Sequence, residues 1–160
     1  MKKFLLCVLV LAALFSPLCS ARAKTSDTLV ALDFRLTGLD NKAYSLADYK
    51  GKGNVLLFFW TTWCPFCREE LKKLNAKSAE LAKDNITVLA VNVGEPREKV
   101  ERYIGANDVK FTVLFDEDTT VSDTYGIMGV PTFFLVNKIG MVVFSNNYFP
   151  DDYKGILPKN

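Results

Sequence analysis

Two cysteines three residues apart, in Trp63-Cys64-Pro65-Phe66-Cys67, sit where an apolar run, Val55 to Trp60, gives way to a helical pattern opening near Pro65. At the amino end of a helix, unpaired backbone N–H groups and the helix dipole favour a thiolate. Cys64 is therefore the expected nucleophile, exposed at the helix end. Cys67, one turn further in, is expected to be buried and to resolve a mixed disulfide by attacking Cys64 from inside. Pro65 fixes a helical φ in the first turn, where its missing N–H costs nothing. A structural disulfide or half of a zinc site would use the same spacing. Zinc asks for about four ligands, and no metal is expected, because the exported part of the chain holds these two cysteines and no histidine. The strand-to-helix setting favours a redox disulfide between Cys64 and Cys67 over a structural one.

Lys2 and Lys3 precede an apolar run from Phe4 to Phe15, followed by Pro17 and Ala21-Arg22-Ala23. Small residues at both positions read by a signal peptidase predict a secretory signal peptide over 1–23 and one exported domain over 24–160. The apolar run is shorter than the ~20 residues of a membrane-spanning helix. A retained anchor is the alternative, and lipidation at Cys19 a weaker one, since bulky Leu18 precedes it. Cys7 reads as a small hydrophobe. Removing the leader leaves 160 − 23 = 137 residues, enough for a single domain with a real core. It also removes Lys2, Lys3 and Arg22, so 17 basic residues face 18 acidic ones, a net charge of −1. That balance gives no electrostatic case for nucleic acid. With no histidine in the chain, imidazole acid/base catalysis and histidine-ligated haem are excluded, and Arg68 after the second cysteine excludes a haem-attachment site. No cofactor is expected, and proton handling falls to a carboxylate, lysine, tyrosine or water. Outside the cytosolic thiol pool, a dithiol kept for reduction needs a dedicated electron supply.

The remaining pattern alternates strands and helices. Leu29 to Leu36 reads as a strand, Gly38 to Asn41 as a turn, and Ser45 to Tyr49 as a helical turn capped by Ser45. The all-apolar Val55 to Trp60 reads as a central strand covered on both faces. A helix from Pro65 to Lys83 puts Cys67, Leu71, Leu74, Ser78 and Leu81 on one stripe. Further along come a buried strand (Ile86 to Val93), a helix opened by Pro96, a strand (Phe111 to Phe115), a short helix (Thr119 to Tyr125), a hairpin (Thr132 to Val136 and Met141 to Ser145), and a short helix around Asp151 to Leu157. These elements predict a mostly parallel α/β layer closed by an antiparallel hairpin.

Phe59 to Cys67 resembles the active-site segment of thioredoxin-fold proteins, and Gly129-Val130-Pro131-Thr132 resembles their cis-proline loop. The leading segment Leu29 to Lys52, the helix-strand insertion Pro96 to Phe115 and Val91-Asn92-Val93-Gly94-Glu95 together resemble the TlpA/ResA-like family of exported thiol-disulfide oxidoreductases. The resemblance implies a thioredoxin fold with an N-terminal β extension and a central helix-strand insertion, covering the mature chain. It implies a monomer that reduces envelope protein disulfides, notably the CxxCH disulfide of apocytochrome c during cytochrome c maturation, with electrons from a membrane thiol carrier. Cys64 and Cys67 carry over as the catalytic pair, Pro131 as the cis-proline presenting the Val130 backbone to an extended substrate, and Glu95 as the active-site glutamate. Trp63, Pro65, Phe66 and Val130 are the implied substrate contacts, whereas Trp60 is expected in the core. Two departures stand out. Phe58 occupies the position of thioredoxin's buried aspartate, which leaves Glu95, its pKa raised by desolvation, as the candidate to exchange a proton with Cys67. Thr132 stands where cytochrome-maturation homologues carry a glutamate, which weakens the apocytochrome assignment relative to the reductase one. A disulfide-forming oxidase, a peroxiredoxin-like peroxidase (Thr61 lies three before Cys64) and a non-enzymatic binding module are the alternatives.

Overall fold

The structure, a computed structural model, describes residues 29–157; the leader expected over 1–23 lies outside the described residues. In chain order the elements are β1 (Arg35–Gly38), β2 (Ala43–Ser45), a 3-10 turn (Leu46–Tyr49), β3 (Asn54–Trp60), α1 (Pro65–Lys83), β4 (Ile86–Val93), α2 (Arg97–Gly105), β5 (Thr112–Asp116), α3 (Thr120–Thr124), β6 (Thr132–Val136), β7 (Val142–Asn146) and a 3-10 turn (Tyr153–Gly155).

The strands form one sheet in the order β2-β1-β5-β4-β3-β6-β7. β3 lies inside the sheet, between β4 and β6, and every residue after Asn54 is buried. Its pleat sends Leu56, Phe58 and Trp60 to one core layer, under α1 and α2, and Val55, Leu57 and Phe59 to the other, with Phe34, Leu46 and Val121. Side chains that alternate between two covered faces are what an all-apolar central strand requires.

Three features depart from the sequence expectation. The sheet is mixed rather than mostly parallel: of six pairings, only β3 with β4 and β4 with β5 are parallel. The insertion adds a parallel pair, β5 on β4, but the leading β1–β2 hairpin joins antiparallel on the far side of β5 and the β6–β7 hairpin joins antiparallel on β3. The strand expected over Leu29 to Leu36 begins only at Arg35. Before it the chain crosses to the β6–β7 turn, where Val30 bridges Met141, the Ala31 N–H donates to the Gly140 carbonyl at 2.9 Å, and the Tyr125 hydroxyl donates to the Leu32 carbonyl. Of its large apolar residues Phe34 is buried, whereas Leu29, Val30 and Leu32 are exposed. Ala43 to Ser45 forms a short strand that the sequence did not announce, and it flows into the capping box of Ser45 and Asp48, with Ser45 the cap expected of it.

The expected terminal helix is a single 3-10 turn, and two aromatic rings supply the cover a longer helix would give. Tyr153, fully buried, stacks on Phe149 at 5.2 Å, Phe149 lies 6.0 Å from Phe133, and the Tyr153 hydroxyl donates to Asp84 at 2.6 Å.

Candidate active site

β3 delivers the chain to the turn Thr61-Thr62-Trp63, and Cys64 then caps α1 with Pro65 at its first position. The Cys64 sulfur accepts from the Cys67 N–H at 3.2 Å, doing for the helix end what a serine or aspartate oxygen usually does. The Cys64 thiol donates to the Val130 carbonyl at 3.6 Å, and the Val130-Pro131 peptide is cis. The resemblance asked for that loop against that sulfur, and the chain places Cys64, Cys67, Val130 and Pro131 together. Both cysteines are free thiols.

Exposure of Cys64 is a correction: it is 4% exposed against 0% for Cys67. The cis-proline loop, joined to its sulfur through the Val130 carbonyl, covers the helix end. Burial, together with the neighbouring Cys64 sulfur, pushes the Cys67 thiol far above the ordinary cysteine range. Its surroundings are aromatic. Phe58 stacks on Phe133 at 4.6 Å and on Trp60 at 6.4 Å, and Tyr103 lies 5.6 Å from Trp60. Trp60 is fully buried in this layer, where the sequence put it.

The rim is apolar and open. Trp63 is 61% and Phe66 70% exposed, on either side of Cys64 in sequence, and Pro65 is exposed between them. Met128, two residues before Val130, is 98% exposed; sequence reading missed it, because a lone methionine in a loop carries no periodic signal.

Glu95 reaches the site from the other side. Gly94, at φ 64°, turns the chain sharply after β4 and sends Glu95 back toward the turn that precedes Cys64. One carboxylate oxygen accepts from the Thr62 N–H at 2.6 Å and the Asn92 side-chain amide at 2.8 Å; the other accepts from the Thr62 hydroxyl at 2.7 Å and pairs with Lys99 Nζ at 2.7 Å. A carboxylate has about four lone-pair sites, and here all are taken. The expected raised pKa is therefore corrected. Burial pushes it up, but the Lys99 ammonium and the Asn92 and Thr62 hydrogen bonds outweigh burial and hold it below the usual carboxylate range. An ionised, saturated Glu95 anchors Thr62 instead of moving protons. The sequence did not single out Thr62, Asn92 or Lys99, although the spacing of four between Glu95 and Lys99 at a helix start was a readable cue.

A reduced dithiol whose first sulfur faces a cis-proline carbonyl and whose second lies in an apolar core is built for thiol-disulfide exchange. Comparison with known proteins agrees. Residues 29–145 match the AhpC/TSA family. The chain is 38% identical over 123 residues to the thiol-disulfide oxidoreductase ResA of Geobacillus thermodenitrificans, covering 74% of this chain and 70% of that protein. It is 33% identical over 130 residues to ResA of Bacillus subtilis, covering 81% and 72%. The thioredoxin domain of a thiol-disulfide oxidoreductase from Bacteroides vulgatus superimposes with a TM-score of 0.72 at 26% identity, covering 81% of this chain and 94% of that one. With the site and these matches in agreement, the chain belongs to the AhpC/TSA family of thioredoxin-fold proteins as a ResA-like thiol-disulfide oxidoreductase.

Proposed function

We propose that this oxidoreductase works as a reductase of protein disulfides in the periplasm or cell envelope, exported by the leader over residues 1–23. Its substrate class is the CxxCH disulfide of apocytochrome c and similar envelope disulfides, and a membrane thiol carrier returns its electrons. It acts as a monomer. The Cys64 thiolate attacks one substrate sulfur, forming a mixed disulfide and releasing the other substrate sulfur as a thiolate. Cys67 then gives up its proton and attacks the Cys64 sulfur. That attack breaks the mixed disulfide and frees the second substrate sulfur as a thiolate; the products are the Cys64–Cys67 disulfide and, once the Cys67 proton and the proton that the Cys64 thiol gave to solvent are taken up, a substrate dithiol, two electrons and two protons having passed in all. The departing substrate thiolate is the natural acceptor for the Cys67 proton, since Glu95 has no free lone pair.

The direction rests on one observation, the apolar burial that keeps the Cys67 thiol protonated. Strong oxidases owe their potential to a stabilised reduced form, and Phe66, between the cysteines, has no donor to stabilise an anion. A peroxidase would need an arginine at the sulfur; Arg68 donates to the Trp63 carbonyl instead, at 3.3 Å. The test is the equilibrium potential of the Cys64–Cys67 couple against glutathione, with reduction of a CxxCH peptide disulfide measured alongside. A potential near the thioredoxin value of ~−270 mV supports the reading, and one near ~−120 mV makes the protein an oxidase.

A further inference from the structure

The geometry points to Asn147 and Thr132 as positioning residues that clasp the cis-proline loop and set the Val130 backbone facing Cys64. The Asn147 side-chain amide donates to the Pro131 carbonyl at 2.8 Å and to the Thr132 hydroxyl at 3.2 Å. That hydroxyl in turn donates to the Gly129 carbonyl at 2.7 Å. Three consecutive carbonyls are thereby given separate duties. Those of Gly129 and Pro131 are tied back by the clasp, and the one between them, on Val130, accepts from the Cys64 thiol. Two peptide planes fixed on either side of Val130 leave its own groups little freedom to turn.

The clasp joins two elements that need no such link for the sheet. Asn147 lies one residue past β7 and Thr132 begins β6; the ladder between these strands already pairs Phe133 with Asn146. Thr132 uses both hydroxyl functions, accepting from Asn147 and donating to Gly129, which neither valine nor a carboxylate could do at that position. An open cleft of about 530 Å³ runs along the clasp, and Met128, Gly129, Thr132, Phe134, Ser145 and Asn147 are among its walls. None of its lining side chains is charged. A polypeptide substrate extended beside Val130 would lie along this wall, while a small disulfide would need only the sulfur of Cys64.

This inference rests on the oxidoreductase reading, and the experiment separates the two. Initial rates are measured for a peptide disulfide and for oxidised glutathione with the wild type, Asn147→Asp, Thr132→Val and Thr132→Ser, with thermal melts of each. Asn147→Asp keeps the shape but loses both donors. We expect kcat/KM on the peptide to fall about tenfold in Asn147→Asp and Thr132→Val, mainly through KM, in line with the loss of one or two hydrogen bonds around a constrained loop. Oxidised glutathione should react within about twofold of wild type, and Thr132→Ser should restore the peptide rate, because a hydroxyl is all the clasp asks of that position. Peptide rates unchanged in both variants, equal losses on both substrates, or no rescue by serine would each overturn the clasp. If one variant melts below the assay temperature, the other reads the same contact from its opposite end. A wild type that reduces neither disulfide would instead remove the oxidoreductase reading itself.

Discussion

Two turns meet at this site and handle charge in opposite ways. The β3–α1 turn brings two sulfurs into an aromatic layer where Phe58, Trp60 and Phe133 offer the buried thiol no charge. The β4–α2 turn brings in a full negative charge, Glu95, and ties it at every lone pair to Thr62, Asn92 and Lys99. In the first turn the second thiol is hard to ionise. The second turn is inert because its carboxylate is hard to protonate. Burying a charge is tolerated only when partners replace its water, so the saturated carboxylate holds geometry while proton traffic is left to the reacting sulfurs.

The sharpest way to break this division is at the sulfurs, where the effect is largest. Cys64→Ser should abolish disulfide reduction, since no other thiol is present among the described residues except the buried Cys67. Cys67→Ala should keep the first attack and hold a covalent mixed disulfide through Cys64, visible as an intact adduct by mass spectrometry. In the reduced wild type, iodoacetamide should label Cys64 well ahead of Cys67. Labelling of Cys67 first would reverse the roles and leave the apolar layer without its function.

The contrast also decides what could be read from sequence. The β3–α1 turn was legible because its signals are local: an all-apolar strand, a CxxC and a proline in the first helical turn. Phe58 announced the apolar floor by replacing an acid. The cis-proline was legible only through resemblance, since nothing in an isolated Val-Pro pair specifies its isomer. At the β4–α2 turn the residue was found and its chemistry misjudged. A lone glutamate after a buried strand suggested desolvation and a raised pKa. The partners that reverse the shift come from three places, Thr62 being 33 residues away in sequence. The mixed character of the sheet was missed for the same reason: β1 pairs antiparallel with β5, and contacts so distant in the chain leave no periodicity to read.

Glu95→Gln gives the next largest effect. The amide offers N–H groups where the carboxylate accepts from donors on all sides, so at least one of Thr62, Asn92 and Lys99 faces another donor. Stability should fall by about 1–3 kcal/mol, as expected for a buried hydrogen-bonding network left unsatisfied, rather than the few tenths of a surface substitution. Peptide reduction should slow about tenfold as the Thr62-Trp63 turn loosens, the size of effect a modest misplacement can have. The pH profile of reduction between 6 and 8 should keep its wild-type shape, because Glu95 does not titrate there. A profile that loses an ionisation near neutrality in Glu95→Gln would make Glu95 a proton carrier and collapse the distinction between the turns.

The smallest effect is expected at Lys99, the half-exposed partner of Glu95. Lys99→Met removes the ammonium and keeps a stem of similar length, leaving Thr62 and Asn92 to hold the carboxylate. The loss at neutral pH should be within about 1 kcal/mol, because exposed ion pairs contribute little. The informative change is in acid. Glu95 has a folded-state pKa below its unfolded value, so its contribution to stability is present above the unfolded pKa and is lost as pH falls through the folded one. Without Lys99 the folded pKa rises toward the ordinary value. The contribution shrinks, and its loss on acidification, which still begins near the unfolded pKa, is complete at a higher pH. Urea unfolding of wild type and Lys99→Met across the acid range should therefore give curves that differ near neutrality and converge once Glu95 is protonated in both. Curves separated by a constant amount at every pH would show that Lys99 acts through packing of its stem, and that Thr62 and Asn92 alone keep the carboxylate ionised.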